Sequence, residues 1–205
     1  MEIQQLHREI KAFDAGTVQI VPAKNNLWNV VVDYFRIFRH GLLPRPQFMI
    51  QVDFLRNHIP IDMIYNTGYG SEEILRNWSC SQWFDNLEMR LEGLQNQGTD
   101  SLVATTKVCV TITTRTLRSV FPHLIDTMND GKNNKVLSRL GEKLLGQQII
   151  MRGSTYFEWD STNGHLASVI AQSDMLTPVL RKLGSLDDAS YVFKNALISP
   201  DFQWR

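Results

Sequence analysis

Three runs of alternating apolar and polar residues constrain this chain more than anything else in it. Two of them, Ile149–Trp159 and His165–Gln172, flank Asp160-Ser161-Thr162-Asn163-Gly164. Asn163 and Gly164 both tolerate a positive φ, so the spacing predicts a β-hairpin. In the first run Ile149, Met151, Phe157 and Trp159 share a face, opposite Arg152, Ser154 and Glu158. The third run, Ser101–Leu117, alternates most cleanly. Leu102, Ala104, Val108, Val110 and Ile112 lie on one side, with Thr105, Lys107, Thr111 and Thr113 on the other. Long strands rich in β-branched residues, apolar on one face only, predict a curved antiparallel sheet.

Upstream of the strands the period changes. Leu27, Val31, Phe35 and Phe38 recur at helical spacing, with Trp28 and Val32 widening the stripe. Asn26 suits the N-cap, and His40-Gly41 with Pro44 and Pro46 marks the stop. Phe48–Asn57 reads as a second helix and Pro60–Tyr65 as a short apolar strand or connector. A third helix starts at Ser71, with Glu72 and Glu73 suiting its positive N-terminal end and Ile74, Leu75 and Trp78 facing inward. Trp83–Leu94 satisfies both periods; its strand-like neighbours favour a strand, turning at Gln97-Gly98-Thr99-Asp100. The polar stretch from Pro122 to Gly141 reads as an extended loop. Two short helices follow the hairpin. Asp174 caps the first and Gly184 stops it; Ser185 and Asp188 open the second, which buries Ala189, Val192, Phe193 and Ala196. Helices first, strands next and helices last predict an α+β fold, with a curved sheet wrapped around the early helix.

The chain has 205 residues, 43% of them hydrophobic and 20% charged, which suits one globular domain over residues 27–205. Its formal charge of zero gives no long-range field toward nucleic acid or an anionic membrane. Cys80 and Cys109 are far apart with no histidine in metal-ligand spacing, so neither a zinc site nor a disulfide framework is expected. No run of about 18 apolar residues predicts a membrane span. An intracellular setting follows, in cytoplasm or nucleus. Asn77-Trp78-Ser79 spells a glycosylation sequon but sits in a predicted helix, and is read as chance.

Chemistry is harder to find. His7, His40, His58, His123 and His165 are scattered; His123 and His165 read as solvated loop residues. There is no nucleophile elbow and no phosphate-binding loop, because Gly68-Tyr69-Gly70 lacks a third glycine. Cys109 lies mid-strand opposite the apolar face, with no base near it in sequence. Asp33 and Asp53 would be candidate acids only if their helices lined a cavity; otherwise they are wet-face carboxylates. From Lys107 to Arg152 there are eight basic and three acidic residues, dispersed enough to read as a solvated face. No catalytic residue, cofactor or metal is expected.

Several stretches resemble the C-terminal region of oomycete basic-leucine-zipper (bZIP) transcription factors. They are Leu27 to Gly41 (LWNVVVDYFRIFRHG), Asp100 to Thr106 (DSLVATT), Leu117 to Leu124 (LRSVFPHL), Met151-Arg152-Gly153-Ser154 with Phe157-Glu158-Trp159-Asp160, and Asp174 to Pro178 (DMLTP). Together they cover about residues 25–200. In that family a basic region and zipper precede the domain. Ile3, Leu6, Ile10 and Phe13 hold the place of the last heptads, which makes 1–15 a zipper remnant used for dimerisation, or an ordinary amphipathic helix, with 16–26 a linker. Residues 1–24 carry Arg8, Lys11 and Lys24 against Glu2, Glu9 and Asp14, which is no basic region. DNA contact is therefore expected only if such a region lies upstream.

The helix-then-sheet order is also similar to the nuclear-transport-factor-like (ketosteroid-isomerase-like) cone fold, although that family's acid/base carboxylate and tyrosine pair has no counterpart here. The resemblances imply a non-catalytic regulatory or dimerisation domain, nuclear, with a protein partner or self-association and room for a small apolar ligand. Tyr34, Phe38, Phe54, Trp78 and Trp159 are the candidate pocket wall. The alternative is a small acid/base enzyme of the polyketide-cyclase or isomerase type acting on a hydrophobic substrate.

Overall fold

A computed structural model describes residues 27–127 and 135–205. The zipper positions Ile3, Leu6, Ile10 and Phe13, the linker 16–26 and the cap Asn26 lie outside the described residues.

The chain opens with helix α1 (Leu27–Ile37) and α2 (Gln47–His58), then a small hairpin of β1 (Ile64–Tyr65) and β2 (Gly68–Tyr69). Helix α3 (Gly70–Trp78) runs into a 3-10 turn (Ser79–Trp83). Two long strands follow, β3 (Asp85–Asn96) and β4 (Ser101–Thr111). Next come α4 (Thr114–Val120), a 3-10 turn (Pro122–Leu124), β5 (Ile125–Thr127), β6 (Lys135–Leu137) and α5 (Arg139–Leu144). The predicted hairpin is β7 (Gln148–Asp160) and β8 (His165–Ser173), and α6 (Leu176–Leu183) and α7 (Leu186–Lys194) close the order.

The fold is α+β. Six strands form one unclosed curved sheet in the order β2-β1-β8-β7-β4-β3, antiparallel except where β1 meets β8; β5 and β6 pair separately. Alternation sets the faces as expected. Leu102, Ala104, Val108, Val110, Ile149, Met151 and Phe157 are all buried. Helix α1 lies across β3, β4 and β7, so its apolar stripe closes the inner face of the sheet.

Three local expectations are corrected. The β4 strand stops at Thr111 rather than Leu117, because Thr113 and Thr116 form a reciprocal capping box that starts α4. The stretch from Pro122 to Gly141 is more than a loop, since Ser138 Oγ accepts from Gly141 N and caps α5. On α1 the stripe widens on the other side. Val30 and Tyr34 are buried, whereas Trp28 and Val32 are 44% and 40% exposed. The sheet meets the helix from one direction, and only residues turned that way are covered.

The hairpin turn depends on Asp160 more than on Asn163. Asp160 Oδ1 accepts from Thr162 N and Asn163 N at 2.9 and 3.0 Å, and only Gly164 takes a positive φ, +73°. At the other side of the sheet β1 is too short to cover β8. The Asn66 and Gln203 side chains complete its edge instead, accepting from Ala171 N at 2.8 Å and donating to Ala171 O at 2.7 Å.

Candidate functional site

The aromatic residues of α1 and α3 build the middle of the molecule. Phe38 stacks on Trp78 with centroids 5.7 Å apart, and also meets Tyr34 at 5.1 Å and Phe54 at 6.4 Å. Tyr34 and Phe35 each reach Phe157 of β7 edge-on at 5.8 Å. Offset and edge contacts of this kind stabilise beyond the area they bury. Four of the five candidate pocket residues, Tyr34, Phe38, Phe54 and Trp78, therefore meet in one buried cluster. Trp159 does not join them. It lines a separate surface cleft with Trp28, Asp100 and Ser161.

Polar groups inside this cluster satisfy one another. Trp78 Nε1 donates to the Tyr34 hydroxyl at 3.0 Å, and Asn77 Nδ2 donates to the Tyr65 hydroxyl at 3.1 Å. The Tyr34 and Tyr65 hydroxyls also interact. Asn77 Oδ1 accepts from Trp204 N at 3.2 Å, tying the C-terminal segment to α3. The sequon asparagine is thus a structural linker. Burial pushes the Tyr34 hydroxyl up to about 12 and Tyr65 well above its ordinary value. Nearby, Gln51 is buried and joins α1 to α2: Nε2 donates to Ile37 O and Gly41 O, and Oε1 accepts from Leu43 N. Tyr65, Asn77 and Gln51 escaped the sequence reading because their partners are distant or backbone.

Groups suited to acid/base work lie elsewhere. Asp33 and Asp53 are surface carboxylates facing Arg36 at 2.8 Å and Arg56 at 3.8 Å. The buried polar residues among those described are Gln51, Ser81, Thr106, Thr116, Thr155 and Ser168, none of which titrates near neutrality. Cys80 is buried and its thiol is pushed up to about 12 by desolvation, while Cys109 is half-buried; both are free. His123 is not solvated as expected. Its ring meets Tyr191 of α7 edge-on at 5.6 Å, and burial lowers its proton affinity. His165 is likewise half-buried. Among the described residues no group of three His, Cys, Asp or Glu could hold a metal ion, and no helix is long and apolar enough to cross a membrane.

Residues 28–83 match the bZIP transcription factor 1 C-terminal domain. The match runs from α1 to the turn after α3, and so includes Tyr34, Phe38, Phe54, Tyr65 and Trp78. The other stretches that resemble the bZIP proteins lie beyond it. No curated protein matches the chain in sequence. Among solved structures, a SnoaL-like polyketide cyclase from Agrobacterium tumefaciens superposes with a TM-score of 0.51 at 13% identity, over 78% of this chain and 98% of that one. TsrD from Streptomyces laurentii gives 0.49 at 14%, over 78% and 96%. An NTF2-like protein from Burkholderia thailandensis gives 0.46 at 13%, over 76% and 95%. The first establishes the fold, an NTF2/SnoaL-like cone; identities this low say nothing about chemistry.

Proposed function

We propose that this chain is a non-catalytic regulatory domain of a bZIP transcription-factor-like protein, working in the nucleus through a protein partner, self-association included. One observation carries the reading. The interior between helices and sheet is occupied by Tyr34, Phe35, Phe38, Phe54, Trp78 and Phe157, and among the described residues no carboxylate or histidine is fully buried with them, His58 stacking on Phe54 at 4.7 Å from a half-buried position. General acid/base catalysis needs a titrating group within hydrogen-bond reach of the substrate. Tyr34 and Tyr65, held protonated by burial, are poorly suited to supply a base. The family match over 28–83 supports the same reading.

The surface also supports docking. Ile61 is 91% exposed, Tyr69 is 67% exposed, and Ile64 pairs with Tyr69 across the β1–β2 hairpin. This hairpin carries β2, the edge strand of the sheet among the described residues, and exposed apolar side chains on an edge favour pairing with another surface. The cone fold shared with a polyketide cyclase is what favours the alternative, an enzyme acting on a hydrophobic substrate.

Light scattering on the purified chain, with size compared between wild type and Tyr69→Lys with Ile61→Ser, tests the reading. Self-association that disappears in the variant supports it. A chain that is monomeric at all concentrations, finds no nuclear protein partner in cells and turns over a cyclic ketone in a Tyr34-dependent way would establish the enzyme instead.

A further inference from the structure

Among the described residues, seven arginines each hold a carboxylate within ion-pair distance. One cleft on the outer face of the sheet gathers cations that stand outside this pattern. Lys107 of β4, Arg152 of β7 and Arg181 of α6 line it, and none has an ion-pair partner among the described residues. Lys107 and Arg152 are directly opposite one another in the β4–β7 ladder. Like charges opposed across strands destabilise a sheet. Arg90 continues the row, opposite Lys107 on β3, but Glu88 neutralises it at 2.7 Å. The two positions that open into the cleft have no such neutraliser.

The acids present do not cancel this charge. Asp174 lines the cleft, but its Oδ1 accepts from Thr177 N at 2.9 Å at the start of α6. Glu92, on the bulged part of β3, is the remaining carboxylate. Asp174 N donates to Arg152 O at 2.8 Å, which fixes the helix start against the strand bearing Arg152. The cleft measures about 520 Å³, within the range of small-molecule sites. Ile150 and Pro178 give it an apolar wall, and Thr177 adds a hydroxyl.

We propose that this cleft binds a small phosphate-bearing organic molecule, its phosphate between Lys107, Arg152 and Arg181 and its organic part against Ile150 and Pro178. Three cations from three elements exceed the two carboxylates, Glu92 and Asp174, that line the cleft, and Asp174 is already engaged by Thr177 N. A phosphate dianion offers three acceptor oxygens, and guanidinium groups meet them in pairs of hydrogen bonds. The like-charge row, unfavourable when empty, becomes favourable when the dianion is bound. The inference is independent of the docking reading above, which concerns the β1–β2 edge.

Titration calorimetry with phenyl phosphate, inorganic phosphate and benzoate as probes tests it. Phenyl phosphate is expected to bind more tightly than either of the others. Arg152→Gln and Arg181→Gln should each weaken it about tenfold or more, the loss of a charge-assisted hydrogen bond, while Arg118→Gln, at an exposed position of α4, leaves it unchanged. Lys107→Gln should also weaken binding, yet raise the melting temperature of the ligand-free protein. The proposal is overturned by undetectable binding at millimolar probe, by equal losses in Arg118→Gln, by benzoate binding as well as phenyl phosphate, or by a lowered melting temperature in Lys107→Gln.

Discussion

Trp78 Nε1 donates a 3.0 Å hydrogen bond to the hydroxyl of Tyr34, and both side chains, one from α1 and one from the end of α3, are buried. Two residues 44 positions apart thereby cover each other's polar atoms inside an aromatic cluster. Buried donors and acceptors carry a desolvation cost unless they are paired. The pair lets a tyrosine and a tryptophan stand where phenylalanine alone would otherwise be tolerated. Tyr34→Phe leaves the indole N–H unpaired and should destabilise the fold by about 1–3 kcal/mol. Urea denaturation followed by tryptophan fluorescence measures this, and no loss would mean that the bond contributes nothing net.

The same hydroxyl responds to alkali. Burial raises it from 10.0 to about 12, so the folded state disfavours the tyrosinate that the unfolded chain forms readily. A group whose folded value is raised contributes stability that is complete below its unfolded value and is lost as pH climbs to the folded one. Stability should therefore decline between about pH 10 and 12. Tyr34→Phe should decline less steeply, which denaturant midpoints across that range will read.

His123 gives the opposite dependence. Desolvation lowers it from 6.5, the backbone around Tyr191, Val192 and Asn195 opposing the shift in part. The folded state prefers the neutral ring, so its contribution is complete above 6.5 and diminishes as pH falls through that value toward the lower folded one. Replacing His123 with Phe should flatten the melting-temperature profile on this acidic side. An unchanged slope would place its origin in other groups.

Glu88 governs a lower window. Hydrogen bonds from Arg90, then Arg39, hold its carboxyl at about 2 instead of 4.5. The contribution of Glu88 is present above pH 4.5 and disappears as pH falls toward 2. Because the pair is exposed, salt should erase most of it. Glu88→Gln should leave a protein whose acid unfolding shifts less than wild type when sodium chloride is added; an undiminished shift would exclude this pair as a source.

Gly153 is a matter of space. A β-carbon there would stand 2.5 Å from Ser173 Oγ, 2.6 Å from Gln172 O and 2.8 Å from Thr106 Oγ1. One of these is backbone of the neighbouring strand, which cannot rotate away. Gly153→Ala should cost about 1–3 kcal/mol by overpacking, with hydrogen exchange accelerated along β7 and β8. A fully stable variant would show that the strands can separate at little cost.

Much of the architecture was legible because the side-chain period of an extended strand is two. The inner face of β4 follows from that alone, and the hairpin of β7 and β8 and the turn near Gly98 follow from it together with the turn residues between the runs. The end of β4 was not legible, since Thr111, Thr113 and Thr116 all favour strands and the capping box exists only once the backbone turns. The candidate pocket wall is named from sequence, but which of its residues meet is not. Tyr34, Phe38, Phe54 and Trp78 do come together, but Trp159 points to another surface.

The sequence by itself determined which residues alternate, where helices stop and which class of fold can bury the result. Local periodicity and turn chemistry act over a few residues, and neighbouring residues contain that information. The tertiary structure decided everything that depends on register and crossing angle. It turned Tyr34 inward and Trp28 outward on the same helix, paired Trp78 with Tyr34, and set Lys107 against Arg152 beneath Arg181. Such contacts join residues far apart in the chain, and only the packing of one element on another specifies which of them meet.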